Sequence, residues 1–471
     1  MNSAKCLISS LFGVAVLLFF GLAYPHHLHY QEQYQLFLFD STYVWEIVRE
    51  PGGIADLLGR FCTQFFLYAW VGAAIIAILL SAIQLLTLQL SNGQWSMVNG
   101  QWSYGLSFVP SFLLWLYLLD ENALMSGVWA VLLTLLVAWA IVSLTKGWTC
   151  RILLIIAIPL LYFLVGPVCL PIPIDSLWTG IHYHRYPTVF PWLLWGAALS
   201  IWVIFGLNFL IRRRQVHFSH LSSLTPYLSF LLVAIIMGSF VWKNANFKAE
   251  KVMQYDFMAR HQQWNRILQT ISAEKPNNQI GVTVQNLALA MNGMLLEQMG
   301  NFNQNGIAGL LPDVKEDATS PLPTAEAFYQ LGMINVAQRT VFEAQEAILD
   351  FQKSGRCYKR LAETNLINGN YAVARKYLSA LQKTLFYRDW ANETLLLLGN
   401  EKAIAKHPEY GRLRQYAYKD DFYFDDHTTP EMLESLYAHN PDNRLAYQYL
   451  LAYYMLTGDR ERFQQFMSTK Q

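Results

Sequence analysis

The chain has 471 residues, of which 54% are hydrophobic and only 14% are charged, whereas soluble domains average roughly 25% charged residues. Its formal net charge is +1. This composition excludes a soluble cytosolic enzyme, a secreted disulfide scaffold, a disordered chain and a polybasic nucleic-acid-binding protein. The charges are unevenly distributed: residues 1–242 hold 9 Lys/Arg and 8 Asp/Glu, and residues 243–471 hold 25 of each sign. We therefore expect a transmembrane domain over 1–242 and a water-exposed domain over 243–471.

Seven long, Leu-rich runs in the first half predict transmembrane helices, because a hydrocarbon core about 30 Å thick requires roughly 20 apolar residues of helix. None of them alternates apolar and polar residues as a barrel strand does. The first run follows Lys5 and ends in Gly21-Leu22-Ala23, so a cleaved signal peptide is an open alternative there. The seven predicted spans are 7–24, 64–88, 102–119, 123–145, 152–170, 190–211 and 225–242.

The loop after the first span, residues 25–60, is amphipathic and contains the carboxylates Glu32 and Asp40. A carboxylate at a membrane surface can act as a general base or hold a divalent metal. A basic residue of the outer loops, Arg49, Arg60 or Arg185, could then bind a lipid phosphate. The alternative is a loop that only rests on the bilayer, since it also carries the aromatic residues typical of membrane interfaces. These are Tyr34, Phe37, Phe39, Tyr43 and Trp45.

Five histidines fall in the outer loops: His26, His27 and His29 after the first span, and His182 and His184 before the sixth. Neutral imidazoles bind zinc and copper well, so two loops that meet at one membrane face could supply a metal site. No carboxylate or cysteine lies at ligand spacing beside them. We therefore predict interfacial histidines without a metal and keep the metal site as the alternative.

Basic residues in the loops set the orientation of a membrane protein. With the N-terminus in the cytoplasm, three basic residues lie outside: Arg49, Arg60 and Arg185. Six lie inside: Lys5, Lys146, Arg151, Arg212, Arg213 and Arg214. Seven spans then place residues 243–471 on the far side, which is the periplasm in a bacterium.

Residues 243–471 show helical periodicity and no alternating strand pattern, so this domain is predicted to be all-α. Residues 356–381 and 444–467 share a helix, a tight glycine turn and a second helix, and Pro408 and Pro441 lie 33 residues apart, close to a tetratricopeptide repeat of about 34 residues. We therefore predict a tetratricopeptide-like repeat domain. Its stacked helix pairs either form a surface for a protein or peptide partner or only brace the membrane domain.

Three segments carry a resemblance to a known family: YQEQYQLF at 30–37, PGGIADLLGRFCTQFF at 51–66 and KTLFYRDWA at 383–391. They resemble a family of uncharacterised multi-pass proteins of Bacteroides-type bacteria, a domain of unknown function. The resemblance covers essentially the whole chain. It implies an inner-membrane location with an exported helical C-terminus, and it carries no activity and no site residues.

A second resemblance is architectural. Membrane glycosyltransferases of the GT-C class are similar in having an acid in a long first outer loop and about seven core spans, and some carry exported tetratricopeptide repeats. The resemblance implies Glu32 or Asp40 as the acid, although Glu32 is followed by Gln33 where a pair of acids is usual.

The sequence thus favours a non-enzymatic, multi-pass inner-membrane protein with a cytoplasmic N-terminus and a periplasmic helical-repeat domain. That domain would act as a scaffold or recruit a protein or peptide partner, in contact with membrane lipids, without a cofactor and without nucleic acid. The alternative is a GT-C-like glycosyltransferase with a polyprenyl-phosphate sugar donor and a divalent metal. No motif specifies the substrate, the partner, the oligomeric state or the biological process.

Overall fold

The computed structural model describes residues 3–92, 101–145, 148–170, 174–180, 191–214, 225–314, 319–348 and 352–468. These residues form helices and no strands, which confirms the all-α prediction. The chain divides into two compact units. The first comprises Met1–Glu32 and Asp40–Phe247, and the second comprises Gln33–Phe39 and Lys248–Gln471.

The first unit contains twelve helices among its described residues. They are α1 (Ser3–Leu18), α2 (Pro25–Glu32), α3 (Ser41–Arg49), α4 (Gly53–Thr63), α5 (Ala69–Asn92), α6 (Gln101–Leu106), α7 (Val109–Tyr117), α8 (Met125–Leu144), α9 (Trp148–Cys169), α10 (Ile174–Thr179), α11 (Trp192–Arg214) and α12 (Thr225–Asn244). A π-helical turn, Phe19–Ala23, extends α1, and a 3-10 turn, Gln64–Leu67, precedes α5.

Within the described residues, three helices are long and apolar enough to cross a membrane: Cys6–Ala23, Ala69–Ser91 and Met125–Leu144. They correspond to the first, second and fourth predicted spans. By length and apolar composition, the described residues therefore contain three candidate spans where the sequence predicted seven. The predicted span 102–119 is interrupted between α6 and α7, where Pro110 lies in the first turn of the second helix. Within the described residues, the span 190–211 corresponds to a shorter apolar stretch, Trp192–Phe205, of the helix α11.

Helices α9 and α12 occupy the remaining predicted spans, 152–170 and 225–242.

Apolar side chains of α1, α5, α7, α8 and α11 form the core of the first unit, and Leu80, Leu114 and Val128 are fully buried there. Two hydrogen bonds join neighbouring helices inside this core. Gln84 Nε2 donates to Ser107 Oγ at 2.8 Å, and Ser111 Oγ donates to the Leu80 carbonyl at 2.7 Å. Polar side chains in an apolar bundle are typically satisfied in this way, across helices.

The second unit contains fourteen helices among its described residues. They are α13 (Phe247–Arg260), α14 (Trp264–Glu274), α15 (Gln279–Met291), α16 (Leu295–Gln298), α17 (Pro321–Leu331), α18 (Ile334–Ala347), α19 (Gly355–Ile367), α20 (Tyr371–Leu381), α21 (Arg388–Leu395), α22 (Glu401–Lys406), α23 (Tyr410–Tyr416), α24 (Thr429–His439), α25 (Arg444–Thr457) and α26 (Arg460–Ser468).

Both predicted helix–turn–helix segments are present, as α19–α20 and α25–α26. A further turn, at Gly332, separates α17 from α18. The helix α12 ends at Asn244 and α13 begins at Phe247. The large buried core of the second unit includes Phe328, Tyr449 and Leu450.

Residues Gln33–Phe39, which we call the inserted segment, belong to the second unit although they lie between α2 and α3 in sequence. The Leu36 amide donates to the Lys353 carbonyl at 2.7 Å, and the Phe39 amide donates to the Lys383 carbonyl at 2.6 Å. Residues 33–37 are all buried. Tyr34 and Phe37, expected at the membrane interface, are therefore part of a protein core, whereas Phe39 and Trp45 are exposed.

Candidate functional site

The two carboxylates predicted for catalysis have different surroundings. Asp40 is the N-cap of α3, and its Oδ1 accepts hydrogen bonds from the amides of Thr42 at 2.9 Å and Tyr43 at 3.2 Å. This arrangement satisfies amides that have no partner within the helix. Glu32 ends α2 and is buried, with 5% of its surface exposed.

The three histidines after the first span all lie on α2. His27 is fully buried, its ring stacks on Tyr24 at 4.5 Å, and its Nε2 lies 2.9 Å from the Leu118 carbonyl. Because a carbonyl only accepts, Nε2 carries the proton of this hydrogen bond. Burial lowers the pKa of His27 to about 4. This ring is therefore neutral at physiological pH and holds α2 against the end of α7.

His26 and His29 lie with their ring centroids 5.8 Å apart. Within the part of the chain that the structure describes, no three His, Cys, Asp or Glu side chains are arranged to hold a metal ion. His182 and His184 lie outside the described residues, as does Arg185. The two-loop metal site therefore stays a prediction.

Arg60 belongs to a compact polar cluster on the hairpin formed by α3 and α4. Its guanidinium contacts both carboxylate oxygens of Asp56, with distances of 2.6 to 2.9 Å, and it also bonds the Tyr43 side chain. Burial raises the pKa of Tyr43, while Arg60 opposes that shift. Arg49 lies elsewhere, 5.2 Å from the centroid of the Trp45 ring. The structure thus pairs Arg60 with an acid in place of leaving it open for a phosphate.

The sequence carries a signal for this pair. Asp56 and Arg60 are separated by one helical turn, the spacing at which opposite charges on a helix meet.

The described residues of the first unit enclose a cavity of about 500 Å³ that is open to a ligand. The loop between α3 and α4 and the helices α8, α9, α10 and α11 form its walls. Its lining is mostly apolar and includes Trp178, Trp195 and Trp202. Glu50 is the only charged residue among the described residues that line it. Neither Glu32 nor Asp40 lines this cavity.

Two polar groups in the cavity wall are already engaged within the protein. Trp178 Nε1 donates to Thr134 Oγ1 at 3.0 Å, and the Tyr162 hydroxyl donates to the Leu177 carbonyl at 2.7 Å. A ligand that needs many hydrogen bonds would therefore find few partners here, whereas a hydrocarbon needs none. Five separate segments build the cavity, and no local pattern in the sequence predicts that they meet.

A second dense cluster lies in the core of the second unit and joins α13, α17 and α19. Arg356 forms a two-point contact with Asp256, at 2.6 and 2.8 Å, and Arg360 forms another with Glu326, at 2.7 and 2.8 Å. Arg360 also bonds Glu363 at 2.9 Å. Burial raises the pKa of Glu363, and Arg360 opposes that shift.

The inserted segment takes part in this cluster, because Gln33 Oε1 accepts from Arg356 Nη1 at 3.2 Å. Each charged group in the cluster has a partner of opposite charge, so we assign it a structural role in joining three helices and the inserted segment.

The part of the chain that the structure describes is all-α, with three helices long and apolar enough to cross a membrane and a second helical unit. The chain belongs to the family of unknown function DUF6057, whose model matches residues 1–471. The expected membership of an uncharacterised family over the whole chain is thereby confirmed. No curated protein and no solved structure matches the chain, so the glycosyltransferase resemblance gains no support from these comparisons.

Proposed function

We propose that the protein is a multi-pass protein of the bacterial inner membrane that holds its second unit in the periplasm, where this unit recruits a partner protein in an envelope process. The observation that carries the proposal is the inserted segment. It lies in sequence between the candidate spans Cys6–Ala23 and Ala69–Ser91, and it is built into the second unit.

The inserted segment supports a second unit on the side of the membrane opposite the N-terminus. If the first span crosses the membrane, Gln33–Phe39 lies on the side opposite the N-terminus, and the second unit must lie there too. The chain must then cross an even number of times between residues 39 and 248. Two further crossings, by Ala69–Ser91 and Met125–Leu144, meet this condition, and so do the six of a seven-span topology. Lys5 favours a cytoplasmic N-terminus.

The surface of the second unit supports partner recruitment. Leu396 and Phe424 are 78% and 71% exposed, and Phe342 is 50% exposed. Large exposed apolar side chains are common at protein–protein contacts. The helix pairs α17–α18, α19–α20 and α25–α26 support a tetratricopeptide-like arrangement.

The transferase alternative is weaker because the cap at Asp40 explains that residue without catalysis, and because neither predicted acid lines the cavity.

Complementation of a deletion phenotype by variants of the full chain tests the proposal. Glu32→Gln and Asp40→Asn should complement fully, because asparagine is also a good N-cap and a scaffold needs neither charge. The double change Leu396→Ser with Phe424→Ser should abolish complementation without reducing the amount of protein in the membrane. A transferase predicts the reverse pattern, in which the carboxylate variants fail and the surface variant is active.

A further inference from the structure

We propose that the cavity of the first unit binds one acyl chain of a membrane phospholipid whose head group carries an ammonium, and that Glu50 favours this head group over an anionic one. The inference rests on the proposed membrane location of the first unit. It does not depend on the partner-recruiting role of the second unit.

The position of the cavity along α8 suits an acyl chain. Lining residues of this helix run from Ala130 to Ile141, within the candidate span Met125–Leu144. That stretch of helix is roughly 16 Å long, about half of a 30 Å hydrocarbon core, which is about the depth that one acyl chain occupies.

The opening of the cavity lies on an apolar surface. Ile54, Val137 and Leu199 line the cavity and are themselves 57%, 54% and 61% exposed. Where α8 crosses a bilayer, the medium that meets such a surface is hydrocarbon. A chain can therefore enter sideways from the lipid without passing through water.

The charge at the cavity selects between phospholipid head groups. Glu50 supplies a negative charge, and no lysine or arginine is present among the described lining residues. The adjacent Arg49 is turned to the Trp45 ring. An ammonium head group can pair with Glu50, whereas an anionic head group meets a like charge.

Photolabelling of the full-length protein in lipid nanodiscs tests the acyl-chain site. The probe is phosphatidylethanolamine with a diazirine in the middle of one acyl chain, and the labelled peptides are identified by mass spectrometry. We expect the label to concentrate on the segments that contain Val137 and Leu199. Ala138→Phe, which adds a benzyl group to the cavity wall, should reduce this label at least about fivefold by occupying the space.

Ala140→Phe is the matched control, since Ala140 is on the same helix but is not among the lining residues, and it should retain the label. Ala198→Phe adds the same group from α11 and provides the test if Ala138→Phe does not yield a monodisperse protein. Labelling that is as strong in both lining variants as in the unsubstituted protein, or label spread evenly over the exposed apolar helices, would overturn the acyl-chain site.

The head-group preference is tested with a phosphatidylglycerol probe that has the same photoreactive chain. We expect phosphatidylethanolamine to label about 2- to 5-fold more strongly, the range that a solvent-exposed ion pair produces. Glu50→Gln should remove the difference, and Glu46→Gln, which changes an exposed acid of α3 outside the cavity, should not. Equal labelling by both probes in the unsubstituted protein would overturn the role of Glu50.

The failures of the two proposals are distinguishable. A chain found outside the membrane fraction contradicts the proposed function and the cavity assignment together, whereas a membrane-inserted chain without focused labelling contradicts only the cavity assignment.

Discussion

Single residues of the first unit couple its stability to pH, and His27 is the clearest case. The folded protein holds this ring neutral, with a pKa of about 4, whereas the unfolded chain protonates it below its ordinary value of 6.5. Its contribution to stability is therefore complete above pH 6.5 and is lost progressively as the pH falls toward 4. The shift corresponds to about 3 kcal/mol.

We predict that His27→Gln removes this pH dependence, because glutamine is neutral throughout and its amide can still donate to the Leu118 carbonyl. The melting temperatures of the unsubstituted protein and of His27→Gln are measured at pH 7.5 and pH 5 in the same detergent. Comparing the pH-dependent change between the two proteins cancels the contributions of other titratable groups. Exchange of the His27 C2 proton, followed by mass spectrometry, gives the pKa directly. A value near 6.5 would contradict the assigned burial.

The buried charge cluster of the second unit predicts a large cost for losing one partner. Arg356→Met leaves the Asp256 carboxylate, 9% exposed, without its two-point partner, and we expect a loss of about 3–5 kcal/mol in the free energy of unfolding. Cys357, which is fully buried beside it, provides the measurement. Its rate of thiol labelling in a urea titration of the full-length chain reports the opening of this unit.

Arg462→Met is the control for the charge cluster. The side chain of Arg462 is 56% exposed and its ion pairs are 3.7 and 3.8 Å long, so we expect a loss below about 1 kcal/mol. Combining Arg356→Met with Asp256→Leu should recover part of the loss, since the unpaired charge is then gone. A double variant no more stable than Arg356→Met would refute the explanation by an uncompensated charge.

At the scale of elements, the turn at Gly332 shows why helix boundaries are harder to predict than helices. The periodic pattern continues through this position, and a single glycine within it reads as a tolerated interruption. The structure places Gly332 at φ +92°, and a Cβ there would lie 2.6 Å from the Tyr416 Cβ. The turn therefore depends partly on a contact with α23, which the local sequence does not contain.

Alanine substitutions at two turns separate two energetic costs: that of a left-handed backbone conformation in a residue with a Cβ, and that of a steric contact made by this Cβ. Gly369 has φ +78° and nothing within 4 Å of an added Cβ, so Gly369→Ala should cost only the left-handed conformation, about 1 kcal/mol. Gly332→Ala should cost at least about 2 kcal/mol, because the backbone of α23 at Tyr416 must also shift to relieve the contact. The rate of thiol labelling of Cys357 in a urea titration measures the free energy of unfolding of both variants. Equal losses in the two variants would show that the contact with Tyr416 is unimportant.

The elements also divide into those that local patterns reveal and those that they do not. Apolar runs predicted the positions of the long apolar helices, and helix periodicity predicted the helix pairs α19–α20 and α25–α26 with their glycine turns. The inserted segment escaped prediction because its burial depends on carbonyls of Lys353 and Lys383, more than 300 residues away in sequence. The cavity escaped for the same reason. Asp40 also shows the limit of residue type as a signal, because a helix cap and a catalytic acid use the same kind of side chain.

For the whole molecule, the number of crossings determines which side of the membrane carries Arg212, Arg213 and Arg214. With three spans, this cluster lies on the side of the second unit. With seven spans, it lies on the opposite side, in the cytoplasm, as the distribution of basic residues favours. The inserted segment is compatible with both topologies, since both give an even number of crossings after residue 39.

Cysteine labelling of cells distinguishes the two topologies. In a background without the five native cysteines, Ser219→Cys introduces a thiol just after the arginine cluster, and Ser468→Cys introduces one at the end of α26. We expect a membrane-impermeant maleimide to label Ser468→Cys in intact cells whose outer membrane has been permeabilised. It should label Ser219→Cys only after the inner membrane is opened as well. Equal labelling of both thiols before that step favours three spans, because both positions then lie in the periplasm. Labelling of Ser219→Cys alone would indicate a seven-span chain in the opposite orientation, and it would refute a periplasmic second unit.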